Sequence, residues 1–128
     1  MNLLLDTHVF IWWDSDPDKL SQAVLEAIKD KSNTLFLSVI SVLEMQIKKD
    51  IGKLTLRIPL ANMLLEQEKK NQIKLLSLES RHILALEGLP LHHKDPFDRV
   101  IIAQANIEDL TLISYDSIFA NYSVRLFS

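Results

Sequence analysis

The chain has 128 residues, of which 48% are hydrophobic, so we expect one globular domain over residues 1–128 with a sizeable core. It has no cysteine, which excludes disulfide scaffolds, thiolate metal sites and cysteine nucleophiles, and which fits a cytoplasmic protein. The net charge is −3 without a dense basic run, so any polyanionic substrate must be attracted by a local field. The first residues lack a signal peptide's basic segment, and no apolar run reaches the ~18 residues of a membrane span.

Short apolar runs alternate with segments of helical periodicity along the whole chain. The runs predict strands at residues 3–5, 34–37, 73–78, 111–114 and 124–127, the last at a sheet edge. Helices are predicted over residues 9–13, 20–28, 40–51, 60–70, 82–87 and 96–105. Ile40, Leu43, Ile47 and Ile51 line one side of the third of these helices, which should end near Gly52. Residues 53–59 are compatible with a hairpin or an extended connection. The alternation predicts an α/β fold with a mainly parallel sheet of about five strands.

The helix that starts near residue 95 carries unusually many acids. Asp95 suits the N-cap, Pro96 the first helical position, and Asp98 the third. An apolar stripe that includes Phe97 and Val100 should dock this helix on the sheet. Taken alone, the segment is typical of a well-capped structural helix.

Four carboxylates are predicted at one edge of the sheet. Asp6 and Asp116 follow the first and fourth strands, while Glu44 and Asp98 fall in the first turns of helices. Carboxyl ends of parallel strands and amino ends of the following helices share one edge, where ligands bind. The sequence therefore predicts an acidic rim.

Each of these acids also has a purely structural explanation. Residues 41–44 match a capping box, Glu44 can pair with Lys48 one turn later, and Asp6 and Asp116 can be helix caps. Yet two carboxylates about 5 Å apart repel by roughly 3 kcal/mol at an effective dielectric of about 20. A divalent cation would relieve this repulsion, and oxygen ligands favour Mg²⁺ or Mn²⁺. Such a site fits metal-assisted hydrolysis of phosphodiesters.

The ordered set of motifs resembles the PIN-domain nucleases, and more narrowly the VapC-like toxins of VapBC-type toxin–antitoxin pairs. The segments that carry the resemblance are Leu4-Leu5-Asp6-Thr7-His8, residues 38–44, Leu89-Pro90 with residues 93–105, and Ser114-Tyr115-Asp116. They span nearly the whole chain in the family's order. The resemblance implies a three-layer α/β/α fold and endoribonuclease activity that depends on Mg²⁺ or Mn²⁺.

The resemblance also implies roles for individual residues. The acid tetrad of the family maps onto Asp6, Glu44, Asp98 and Asp116, which are the expected catalytic residues and metal ligands. Thr7 and Ser114 resemble the hydroxyl-bearing neighbours that orient these acids, and Asp95 would cap and support the Asp98 helix.

Partners follow from the same resemblance. Such toxins form homodimers and bind an antitoxin whose carboxyl-terminal arm covers the acidic groove, where it can place an arginine. RNA is the expected substrate. Arg99, which adjoins Asp98, and Lys48 are candidate RNA contacts, although solvated surface positions are an alternative for both. Lys94 belongs to the same basic group.

The histidines and tryptophans are weaker candidates for functional residues than the acids. No His-Glu-x-x-His motif is present, so we do not expect metal ligands at His8, His82, His92 or His93. Trp12 and Trp13 are predicted to belong to the core, with a partner surface as the alternative.

Two other functions remain open from the sequence. One is a non-catalytic module that uses the acidic rim to hold a basic arm. The other is a metal-dependent phosphatase, which is disfavoured because haloacid-dehalogenase-type hydrolases need Asp-x-Asp where this chain has Asp6-Thr7-His8.

Overall fold

A five-stranded parallel sheet forms the centre of the computed structural model, which describes residues 1–91 and 95–128. The strands are β1 (Asn2–Leu5), β2 (Thr34–Ser38), β3 (Lys74–Leu76), β4 (Thr111–Ile113) and β5 (Leu126–Phe127). Their order across the sheet is β3-β2-β1-β4-β5, and each neighbouring pair is parallel. The predicted parallel α/β fold is confirmed, including the fifth strand at an edge. Asp6, which follows the central strand, is therefore placed mid-edge.

Helices fill the connections between the strands. They are α1 (Thr7–Ser15), α2 (Gln22–Lys29), α3 (Val39–Asp50), α4 (Leu60–Asn71), α5 (Ser80–Leu84) and α6 (Pro96–Ile107). Short 3₁₀ segments occur at Pro17–Lys19, Ala85–Gly88 and Ser117–Asn121. Residues 53–59 form an irregular connection, which agrees with the second of the two predicted possibilities. None of the helices in the described ranges is long and apolar enough to cross a membrane.

Both faces of the sheet are covered, which gives three layers. In β1, Leu3 and Leu5 point into a core cluster with α1, α2 and α4, while Leu4 points into a second cluster with α6. Successive side chains of a strand alternate between faces, so an uninterrupted apolar run is what a central strand needs. Each of these fully buried leucines contributes about 1.5–3 kcal/mol of transfer free energy.

The apolar stripe on one side of α3 is mostly exposed, apart from Ile40. Leu43, Ile47 and Ile51 are 48%, 40% and 59% exposed, whereas the buried positions of the helix are Ile40, Ser41, Glu44 and Met45. The helix thus turns a partly polar side toward the protein interior. Polar residues buried at a site break the amphipathic pattern, so the buried side of α3 is rotated from the apolar stripe toward Ser41 and Met45, with Ile40 common to both.

The start of α3 also differs from the prediction. Ser38 is its N-cap, with the Ser38 hydroxyl accepting from the Ile40 amide at 3.0 Å, so no capping box spans Ser41 and Glu44. Because the helix begins at Val39, Glu44 lies in its second turn rather than the first. Ser41 and Glu44 are consequently free to contact other elements.

Candidate active site

Asp6 lies at the carboxyl end of β1, where it also caps α1. Its Oδ1 accepts from the Thr7 amide at 2.8 Å, and its Oδ2 accepts from the Ser114 hydroxyl at 2.9 Å. The residue is only 4% exposed. Asp6 therefore caps a helix, as its purely structural explanation requires, and also lies buried at the acidic edge of the sheet. The two roles are compatible.

Burial is the main influence on the ionisation of Asp6. It raises the pKa of the Asp6 carboxyl above its ordinary value, and the negative charge of Glu44 adds to this rise. Hydrogen bonds from Ser114 and the Thr7 amide, together with the charge of His8, act in the opposite direction. A cation brought to this carboxyl would favour its ionised form.

Glu44 is joined to Asp6 through Thr7. The Thr7 hydroxyl lies 2.9 Å from Oε1 of Glu44 and 2.8 Å from the Ser41 hydroxyl. An ionised carboxylate can only accept, so Thr7 donates its single proton to Glu44 and accepts from Ser41. Glu44 is 2% exposed, and residue 7 thus contacts both acids, through its amide and through its hydroxyl.

Lys48 supplies the positive charge at this group of acids. Its Nζ lies 2.6 Å from Oε2 of Glu44, as the i, i+4 spacing predicted. The hydrogen bond with Glu44 raises the pKa of Lys48, and the charges of Glu44, Asp95 and Asp98 raise it further. α6 packs against α3, and Asp95 and Asp98 lie near enough to Lys48 to act on its ammonium group electrostatically.

The N-terminus of α6 is built as the sequence predicted. Asp95 caps it by accepting from the Phe97 amide at 2.9 Å, Pro96 occupies the first helical position, and the half-buried Asp98 follows in the first turn. The cap fixes the turn on which Asp98 lies.

Gln104 ties α6 to the rest of the edge, a role that the sequence analysis missed. It is fully buried, its Oε1 accepts from the Ser38 hydroxyl at 2.5 Å, and its Nε2 donates to the Ser77 carbonyl at 3.2 Å. One amide therefore connects α6 to the ends of two strands. The available signal was a glutamine within an otherwise apolar stripe, since a buried amide needs partners for both ends.

Asp116 reaches the site from the other side of Asp6. It is exposed and caps the 3₁₀ segment Ser117–Asn121 by accepting from the Ile118 amide at 3.0 Å. Its own amide donates to the Ser114 hydroxyl at 3.1 Å, and that hydroxyl donates to Asp6. Asp6 and Asp116 also line one open cavity of about 250 Å³, together with His8, Trp12 and Tyr115.

The two candidate RNA contacts are both engaged within the protein. Arg99 donates through Nη2 to the carbonyls of Leu86 (3.1 Å) and Leu89 (3.4 Å), and so holds the 3₁₀ segment before α6. Lys48 pairs with Glu44. These contacts lie within the protein itself. That Arg99 or Lys48 contacts RNA stays a prediction.

A different acidic group lies at the far end of α6. Ligand atoms of Glu79, His82 and Glu108 are within 4.8 Å of one another. Nδ1 of His82 accepts from the Glu79 amide at 3.0 Å, so Nε2 carries the proton that faces Glu108. Arg81 pairs with both glutamates. Because the histidine has no free lone pair and α6 is about 18 Å long, this group is neither a metal site nor part of the edge.

The tryptophans and the remaining histidines lie in different surroundings. Trp12 and Trp13 are half-buried and pack against the core cluster, as predicted, although Trp12 also lines the cavity beside Asp6. His8 is exposed there. His92, His93 and Lys94 lie outside the described residues.

Comparison with known proteins decides the family of the chain. The PIN domain family model matches residues 3–124. The chain belongs to the PIN-domain family. Among curated proteins, it is 29% identical over 115 residues to Ribonuclease VapC22 of Mycobacterium tuberculosis, covering 89% of this chain and 86% of that protein. The resemblance seen in the motifs is thereby confirmed.

Solved structures agree with this PIN-domain assignment at the level of the fold. The crystal structure of VapBC2 from Rickettsia felis, bound to a DNA fragment from its promoter, contains a chain with a TM-score of 0.68 and 18% identity. That match covers 99% of this chain and 98% of the other. A chain of VapBC-1 from nontypeable Haemophilus influenzae has a TM-score of 0.65 and 18% identity, covering 100% of this chain and 98% of that one. Both likenesses concern the fold.

Proposed function

We propose that this PIN domain, residues 1–128, is a metal-dependent endoribonuclease that acts as the toxin of a toxin–antitoxin pair. The observation that carries the proposal is the buried pair Asp6 and Glu44, which Thr7 joins at the carboxyl end of β1. Asp98 acts electrostatically on Lys48, the residue that pairs with Glu44. Membership of the PIN-domain family and the similarity to a curated ribonuclease support hydrolysis of RNA. Neither the phosphatase nor the non-catalytic module has a comparable observation in its favour.

The residues at the edge fit a divalent cation. All the candidate donors are carboxylate oxygens, the donors that Mg²⁺ and Mn²⁺ prefer. Lys48 already places an ammonium among them, and burial opposes the ionisation of Asp6 unless positive charge is near. We assign Asp6, Glu44 and Asp98 as the residues that would hold the ion, with Asp116 beside them. The chemistry that such an ion supplies is polarisation of an attacking water and stabilisation of the leaving oxygen.

The protein's own contribution is to hold the acids in place. Ser114 and the Thr7 amide occupy one lone pair on each oxygen of Asp6, and the Thr7 hydroxyl fixes Glu44. The N-termini of α1 and α6 add partial positive charge beside Asp6 and Asp98. A carboxylate held in this way keeps its orientation when a phosphodiester approaches.

We further propose a cognate antitoxin as the partner of this chain. The similar folds in Rickettsia felis and Haemophilus influenzae come from VapBC assemblies, which supports this choice. A guanidinium from the antitoxin would pair with the carboxylates of the edge. We also propose a homodimer in the cytoplasm, and light scattering of the purified chain measures the dimer mass directly.

The test of the nuclease proposal is cleavage of a panel of cellular RNAs in Mg²⁺, Mn²⁺ or EDTA. We expect cleavage with either metal, none in EDTA, and none for Asp98→Asn. The matched control is Asp30→Asn, which removes an exposed carboxylate between α2 and β2, at the opposite edge of the sheet, and should leave cleavage unchanged. An inert protein at every metal concentration would overturn the proposal. Activity that survives Asp98→Asn would remove that residue from the site.

A further inference from the structure

The open cavity beside Asp6 is unusual because aromatic rings and carboxylates share its walls. His8, Trp12 and Tyr115 supply rings, and Asp6 and Asp116 supply carboxylates. Its volume is about 250 Å³. The rings of Trp12 and Tyr115 have centroids 6.0 Å apart and planes tilted by 44°, so they form adjoining walls rather than a closed stack.

The rings are held firmly. The hydroxyl of Tyr115 accepts from the Ser21 amide at 2.7 Å, which anchors the far end of its ring to the start of α2. Trp12 packs its inner side against the core cluster, and the His8 ring lies 5.9 Å from it, tilted by 42°. Rigid aromatic surfaces bind a flat ligand at a low cost in conformational entropy.

The charge of the walls decides which part of an RNA the cavity can hold. The walls carry two carboxylates, and the Lys19 ammonium lies over the Trp12 ring, 5.6 Å from its centroid. In the metal-free protein the carboxylates repel a phosphate, whereas a nucleobase is neutral and has two apolar faces. Aromatic side chains bind unpaired bases by stacking, in a way that tolerates different sequences. Core packing explains the buried side of Trp12, but it leaves unexplained why three rings border an open space beside Asp6.

We propose that this cavity is a subsite for an unpaired nucleobase next to the scissile phosphodiester, with stacking on Trp12 and Tyr115. The inference rests on the proposed nuclease function. The base-binding walls and the carboxylates share Asp6 and Asp116, so a base held here brings the adjoining phosphate to the acidic edge. The subsite selects nucleotides that are single-stranded or turned out of a helix, and Trp12 and Tyr115 position them.

The first test changes the RNA substrate and then compares two variants of Trp12. An RNA that the protein cleaves is resynthesised with an abasic ribose on either side of the cut bond. One of the two substitutions should lower kcat/KM by roughly 5- to 150-fold, the range for losing one base–aromatic stack. Trp12→Leu should lose this sensitivity and Trp12→Phe should keep it. If neither abasic substitution changes the rate of cleavage, the proposal of a base subsite is overturned while the nuclease proposal stands. The cavity would then be assigned to a protein partner.

A second test is independent of cleavage. The chain has two tryptophans, so Trp13→Phe leaves Trp12 as the sole tryptophan and Trp12→Phe leaves Trp13, each excited selectively at the red edge of tryptophan absorption. Titration with a mixed-sequence hexaribonucleotide in EDTA should quench Trp12 but not Trp13, and its abasic counterpart should quench neither. If no RNA is ever cleaved, quenching of Trp12 alone would still support a base site. Equal responses from the two tryptophans would overturn it.

Discussion

The ammonium of Lys48 lies 2.6 Å from Oε2 of Glu44, one helical turn away on α3. Glu44 is almost fully buried, and Lys48 is also influenced by Asp95 and Asp98. The chain therefore carries its own cation among the acids of the edge. A divalent ion that binds there must displace this ammonium or share the carboxylates with it.

Replacement of Lys48 by methionine tests this relationship. In metal-free buffer, Lys48→Met should lower the free energy of unfolding by about 1–3 kcal/mol, because a buried charge loses its partner. Mn²⁺ should then raise the Tm of the variant more than that of the unaltered protein, since the ammonium no longer competes. Thermal unfolding with and without Mn²⁺ measures both. Lys49→Met, at an exposed neighbour, is the control, and equal Mn²⁺ shifts in all three proteins would contradict the competition.

Asp6→Asn should separate activity from stability. The asparagine Oδ1 can keep the Thr7 amide bond, and its Nδ2 can donate to the lone pair of the Ser114 hydroxyl that the Asp116 amide does not use. The Ser114 proton then loses Asp6 as its acceptor, a cost that removal of the buried charge offsets. The variant removes a buried negative charge, so its unfolding free energy should equal or exceed that of the unaltered chain. Cleavage should fall by at least about 100-fold. Urea unfolding measures the stability of the variant, and an RNA cleavage assay measures its activity. A strongly destabilised variant would contradict the contacts assigned to Asp6.

The raised pKa of Asp6 gives its pH dependence a definite sign. Between the ordinary value of 3.8 and the higher folded value, the folded state holds more protons at Asp6 than the unfolded state does. Rising pH through this window therefore costs the metal-free protein stability. We expect the difference in unfolding free energy between Asp6→Asn and the unaltered chain to grow over that window, as measured by urea unfolding at a series of pH values. A constant difference would show that burial does not control this carboxyl.

The parallel sheet and its acidic edge were predictable because they depend on local pattern. An apolar run such as Leu3 to Leu5 marks a strand buried on both faces, and parallel connections then place Asp6 and Asp116 on one edge. The Lys48 pair with Glu44 followed from helical spacing alone. None of these steps needed the order of the strands.

The side of α3 that faces inward could not be read from periodicity. Its apolar stripe, represented by Leu43 and Ile47, is regular, yet the polar residues Ser41 and Glu44 are buried because they contact Thr7. The Gln104 contact with Ser38 was equally inaccessible, since it joins side chains 66 residues apart. Both features depend on which elements lie side by side, and that information is absent from a local pattern.

Thr7→Val tests the connection between the two buried acids. Valine keeps the shape of threonine and the backbone bond to Asp6, but it removes the proton that Glu44 accepts. A buried carboxylate oxygen without a donor costs about 1–3 kcal/mol of unfolding free energy, and misorientation of a catalytic acid costs about 10- to 100-fold in activity. Thr7→Ser restores the hydroxyl and should recover most of the activity, although it loses a packed methyl group. Ser41→Ala, which leaves the Glu44 bond in place, should have the smaller effect on cleavage. If Thr7→Val and Ser41→Ala reduce cleavage equally, then Thr7 contributes packing rather than orientation of Glu44.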